Sequence, residues 1–186
     1  MNDLTLCLDD ILELVHQRRF LGGDMTCAFD WIYGGGDDPI FYDSYIARSI
    51  NGDLFFDIPP ETASYSAAGD LFWNEPVAQA RFTAHQPFQV FSCWNGAVVF
   101  TAAPIVEVKV AFRAASEDKG ECFQAEPQLF CKDMWFQGYG KIAVIPTVNL
   151  EYWKADQAGQ GIHLKMGCGA GVTRGEDRLA ASTGKS

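Results

Sequence analysis

The chain has 186 residues, 48% of them hydrophobic, with a formal charge of -10 and a pI near 4.6. That is enough apolar material for one domain with a buried core, and it argues against disorder over most of the length. The acidic balance excludes a nucleic-acid surface, which needs clustered Lys and Arg to displace counterions, and the acids are spread along the chain instead of forming a tail.

Leu8, Ile11, Leu12, Leu14 and Val15 recur at helical spacing, with Asp9 and Asp10 early and Arg18 and Arg19 late. Residues 8–19 therefore read as a helix whose charges complement its dipole, ended by Gly22-Gly23. Residues 24–33 read as a buried strand and 34–39 as a glycine-rich loop, whose spacing matches no phosphate-binding fingerprint. Tyr42, Asp43, Tyr45 and Arg48 lie among apolar residues up to Asn51-Gly52, and 57–68 reads as a Pro- and Ser-rich surface loop. A short helix over 75–83 tolerates Pro76 in its first turn.

Val90 and Phe91 lead into Ser92-Cys93-Trp94-Asn95-Gly96, and Ala97 to Phe100 lead out. An Asn-Gly between β-rich runs is a hairpin signal, which would make Trp94 a core residue; the same abrupt polar turn is also how a strand delivers side chains to a ligand. Residues 106–112 read as an apolar strand and 114–120 as a loop. Pro127 suits the first turn of a helix through Leu129 and Trp135 that ends at Gly138, which puts Glu126 at its start. Residues 142–148 form a last strand, with Pro146 favouring an edge or a strand end. Beyond residue 157 the chain is Gly-, Ser- and Thr-rich and reads as a disordered tail, leaving 1–156 as the domain. Strands and helices alternate, which indicates an α/β fold.

The six cysteines contain no CxxC pair, so a thiolate zinc site has no support; they fit either disulfides or buried thiols, and Cys122 with Cys131 is the first pair to test. His16, His85 and His163 share no metal-ligand spacing. No apolar run reaches membrane-spanning length, and no signal peptide or anchor is read at the start.

Four blocks in order resemble the fungal α-1,3-mannosyltransferases of the cryptococcal capsule type, glycosyltransferase family 69. They are Asn2-Asp3 with Cys7, Asp9, Asp10 and Ile11; Cys27-Ala28-Phe29-Asp30 with Phe41-Tyr42-Asp43 and Ala47-Arg48; Ser92 to Gly96 with Ala102-Ala103-Pro104; and Glu126 with Leu129 to Trp135. The resemblance implies a GT-A-like fold, a Golgi enzyme of polysaccharide biosynthesis, and retaining transfer of mannose from GDP-mannose to the 3-hydroxyl of a mannoside acceptor with Mn or Mg. It also leads us to expect only the C-terminal, metal and acceptor part of such a domain, incomplete and inactive alone, or else a non-catalytic carbohydrate-binding or regulatory remnant.

Set against that chemistry, Asp3 is the expected metal ligand, with a helix-capping acid as the alternative. Glu126 is the expected catalytic carboxylate, with a helix cap as the alternative; Asp133, two turns on and on the same face, either lines the catalytic site with it or pairs with Lys132 or Arg48. Asp30 and Asp43, beside Trp31 and Tyr42, suit sugar hydroxyls, while Arg48 suits a diphosphate or a salt bridge to Asp43. Trp94 is then a stacking platform and Asn95 a hydroxyl partner, with Gly96 turning the wall of an acceptor cleft.

Overall fold

The computed structural model describes residues 4–33 and 39–152. In chain order the strands are β1 (Leu4–Thr5), β2 (Met25–Tyr33), β3 (Pro39–Phe41), β4 (Arg48–Ser49), β5 (Phe88–Ser92), β6 (Val98–Phe100) and β7 (Ile142–Tyr152). The helices are α1 (Leu8–Phe20), α2 (Pro76–Thr83), α3 (Ala103–Val106) and α4 (Glu126–Phe136). The expected α/β class holds, and the glycine loop, the tail, Asp3 and His163 lie outside the described residues.

Two long parallel strands, β2 and β7, form the centre of a seven-stranded mixed sheet. Their outer edges are shared by short strands: β6 pairs the start of β2 and β3 its end, while β5 pairs the start of β7 and β1 its end. Period-2 alternation along β2 sends Met25, Cys27, Phe29 and Trp31 into one core and Ala28 into a smaller one beneath α1 with Leu14. In the larger core Phe29 meets Phe41 and Trp31 at 5.4 Å and Phe82 at 5.1 Å, and Phe55, Phe72 and Phe88 complete the cluster. Each such buried ring stabilises the fold by ~2–3 kcal/mol before entropy is counted.

Pro146 does not lie at an edge or an end. It is buried in the central strand, at a break in the β2–β7 ladder where β2 advances two residues, Cys27 to Phe29, while β7 advances five, Val144 to Asn149. A bulge is where a central strand tolerates a residue without an N–H. The surplus is odd, so it reverses the sides: Ile142 and Val144 face the aromatic core, whereas Val148 and Leu150 face α1.

Other expectations need correction. Asn95 and Gly96 do turn, with φ of 45° and 78°, but the flanking strands do not form a hairpin, because β5 pairs β7 and β4 while β6 pairs β2. The expected strand over 106–112 is instead the end of α3, with Pro104 in its first turn, and a loop in which Pro104 O accepts from the N–H groups of Lys109 and Val110. A disulfide joins Cys27 to Cys93, and Cys7 is disulfide-bonded as well; Cys122 is a free exposed thiol and Cys131 a free buried one. Among the described residues no helix is long and apolar enough to cross a membrane.

Candidate functional site

The outer edge of β2 is open between Cys27, where β6 ends, and Trp31, where β3 begins. The Cys93–Ala97 segment fills this gap. Ala28 N–H donates to Ala97 O at 3.0 Å, and Ala28 O accepts from Asn95 Nδ2 at 2.9 Å. Asn95 Oδ1 in turn accepts from Trp94 N–H at 3.3 Å, and the Cys27–Cys93 bond locks the same corner. Asn95 is wholly buried, so its carboxamide replaces a strand neighbour and has no surface to offer a sugar hydroxyl. Trp94 is half-buried, edge-on to Phe112 at 5.7 Å and Phe130 at 6.2 Å, which makes it a packing residue and not an open stacking platform.

Asp30 and Asp43 meet next to this plug. Asp30 is buried and its Oδ1 accepts from Asp43 N–H at 3.3 Å, while Asp43 Oδ2 accepts from Asn95 N–H at 2.8 Å. Burial first, and then the neighbouring Asp43 charge, push the Asp30 carboxyl up to about 8, so it is neutral at pH 7. Burial also raises Asp43, opposed by the main-chain N–H groups of Asn95 and Ile46 and by the Arg48 charge. Arg48 makes no ion pair with Asp43; its Nη1 donates to Ala47 O at 2.7 Å and Ser44 O at 3.2 Å, which fixes the guanidinium at the mouth of a cavity.

That cavity, of about 400 Å³, is what the sequence did not show. Tyr45, Arg48 and Gly52 form one wall, Phe91 of β5 another, and Phe123, Gln124 and Gln128 close it from the approach and first turn of α4. No acidic side chain lines it, in a chain with 24 Asp and Glu. The one legible signal was Gln128, an amide on the same helix face as the buried Cys131.

The α4 carboxylates divide. Asp133 is taken up by Arg113, whose Nε and Nη2 donate to it at 2.6 and 2.8 Å. Arg113 also grips Glu121, which accepts from Lys132 Nζ at 2.8 Å and from Ser116 N–H at 2.8 Å. The two cations hold Glu121 well below the usual carboxylate range. Asp133 therefore pairs with neither Lys132 nor Arg48, and the network straps the 113–121 loop to α4. Glu126 is exposed at the first helical position and makes no capping bond, its charge lying at the positive end of the helix. Trp135 anchors α4 to the sheet by donating its indole N–H to Phe91 O at 2.8 Å.

Among the described residues no three His, Cys, Asp or Glu are placed to hold a metal ion, and the neutral Asp30 is a poor donor beside Asp43. The described donor set alone does not fit Mn or Mg.

Residues 1–133 match the family described as Cryptococcal mannosyltransferase 1. The chain belongs to that family. It is 39% identical over 153 residues, 81% of its own length, to the α-1,3-mannosyltransferase CMT1 of Cryptococcus neoformans var. neoformans serotype D. It spans 32% of that relative's length. No solved structure matches it. The stretch shared with the cryptococcal mannosyltransferase family takes in Asp30, Asp43 and every residue that lines the cavity.

Proposed function

We propose that this chain carries the acceptor-binding surface of a GT-A-like, retaining mannosyltransferase, which moves mannose from GDP-mannose to the 3-hydroxyl of a mannoside. The observation that carries the reading is a cavity of carboxamides, aromatic rings and one guanidinium, lying wholly within the family match. Such a lining suits a carbohydrate: amides both donate to and accept from hydroxyls, and rings stack on the apolar faces of a pyranose. The relative's printed activity, α-1,3-mannosyl transfer, supports the choice of sugar.

In this reading Glu126, exposed and between Gln124 and Gln128 in sequence, is the carboxylate that stabilises the oxocarbenium-like state, and Asp133 positions the loop through Arg113. Arg48 supplies fixed cationic donors. A divalent metal would neutralise the departing diphosphate, and Asp3 is its proposed ligand. A Golgi lumen is consistent with the Cys27–Cys93 disulfide, since such bonds persist in oxidising compartments.

The test incubates the chain with radiolabelled GDP-mannose, manganese and α-1,3-mannobiose and looks for a labelled trisaccharide with an α-1,3 bond. Transfer supports the enzyme. A second reading, a non-catalytic carbohydrate-binding chain, is favoured by the absence of any acid from the cavity lining and by the commitment of Asp133 to Arg113. Mannoside binding without transfer selects it.

A further inference from the structure

Gln128 brings a nearly buried amide to the edge of the cavity. It is 8% exposed, next to the buried Leu129 and Phe130 in α4, and its carboxamide makes no hydrogen bond among the described residues, yet it is not sealed from solvent: there Ser49 Oγ alone is a buried side-chain polar atom without a partner. The amide therefore keeps its hydrogen-bonding capacity open toward the cavity. The side chain borders the cavity together with Gln124 on the approach to α4, which is half-buried and makes no hydrogen bond among the described residues. Opposite them, Arg48 has committed Nη1 to main-chain carbonyls. Phe123 and Tyr45, 76% and 57% exposed, stand at the rim where an apolar ring face gains by being covered.

We propose that Gln128 is the specificity-determining residue of a subsite for the acceptor's hexopyranose ring, with Gln124 and Arg48 reading hydroxyls and Phe123 or Tyr45 stacking on the sugar. The inference rests on the transferase reading for the word acceptor, but the binding chemistry stands on the cavity itself. Size agrees, since the volume lies within the ~300–1,000 Å³ of small-ligand sites. A donor occupant is disfavoured by charge: a diphosphate needs several cations or a metal, and the lining offers one guanidinium and no metal ligands. Without an acid in the lining, the subsite binds and orients; it does not move protons.

The experiment titrates the full chain with α-1,3-mannobiose by calorimetry, in the presence and absence of GDP, and repeats it with Gln128→Leu and Phe123→Ala. Gln128→Leu removes no hydrogen bond within the described residues and should fold, which a thermal melt checks. The expected result is mannobiose binding that is independent of GDP and weakened about tenfold or more by each variant, the loss from one hydrogen bond or one stacking face. Unchanged affinity in both variants, no mannobiose binding by the parent chain, or displacement of mannobiose by GDP overturns the assignment. Gln128-dependent binding without transfer from GDP-mannose would sink the transferase reading and leave the subsite standing. Transfer with an unaltered acceptor KM in Gln128→Leu would do the reverse.

Discussion

Asn95 reaches Asp43 across 52 residues of sequence, donating its main-chain N–H to the carboxylate at 2.8 Å while its side chain holds Ala28 O. One residue at positive φ thus closes the edge of β2 and fixes the turn that carries Tyr45 and Arg48 to the cavity. Asn95→Ala removes the carboxamide bonds, leaves Ala28 O unpaired and puts a less tolerant residue at φ 45°. A loss of about 2–4 kcal/mol in urea unfolding is expected. A loss below about 0.5 kcal/mol would mean that the plug does not hold the edge.

Asp30 gives the fold a pH dependence of definite sign. Its carboxyl keeps a proton up to about 8 in the folded chain but releases it near the ordinary 3.8 when unfolded. Between those values the native state binds the extra proton, so stability is greatest at the acid end and falls by about 1.4 kcal/mol per pH unit for such a group, levelling above the folded value. Asp43, also raised by burial, acts in the same direction from the acid end. Glu121, depressed by Arg113 and Lys132, acts oppositely, but only below the ordinary carboxylate range. Urea midpoints should therefore fall from about pH 5 to 8, and Asp30→Asn should flatten the slope. A variant that keeps the full slope assigns it to another group.

How much of this was legible follows from the range of the interactions. Helix α1, strand β2 and helix α4 rest on local signals: charge placement, apolar runs, Pro127 and Gly138. The turn at Asn95-Gly96 was local too, but the destinations of β5 and β6 depended on which edges of β2 and β7 were vacant, and no turn residue encodes that. Pro146 misled because a bulge is defined by its partner strand. At the site, Asp30, Asp43 and Arg48 do converge, and Asn95 belongs to their network as a structural member. Asp133 was read without Arg113, a partner 20 residues away in a loop of no regular structure. The cavity was invisible because its walls come from three separate segments.

The Cys27–Cys93 disulfide should matter more than its position near a turn suggests. It closes a loop with a sequence separation of 66 residues and clamps β2 to the end of β5 where β6 gives out. Cys27→Ala with Cys93→Ala, which leaves the bond made by Cys7 in place, should cost about 2–5 kcal/mol. Differential scanning calorimetry of the parent chain beside the double variant measures this. Alkylation mapping supplies the control: in the native oxidised protein iodoacetamide should label Cys122 and spare the buried Cys131, whose thiol burial pushes up to about 12. Rapid native labelling of Cys131, or an unchanged melting temperature in the double variant, would contradict the arrangement.

Glu126 and Asp133 give the last contrast, because they share a helix but not an environment. Glu126 is exposed with no partner fixing it, so Glu126→Gln should leave the melting temperature nearly unchanged, the lost interaction with the helix end being only ~0.3–1 kcal/mol. Under the transferase reading the same change removes charge stabilisation of the transition state and should lower kcat by about 100-fold or more with little effect on the acceptor KM. Asp133→Asn should behave differently. It weakens the grip of Arg113, loosens the 113–121 loop that leads to Phe123 and Gln124, and should raise the acceptor KM more than it lowers kcat. Steady-state kinetics of both variants beside their thermal melts decides the matter. If Asp133→Asn loses kcat at constant KM while Glu126→Gln stays active, the two roles are exchanged.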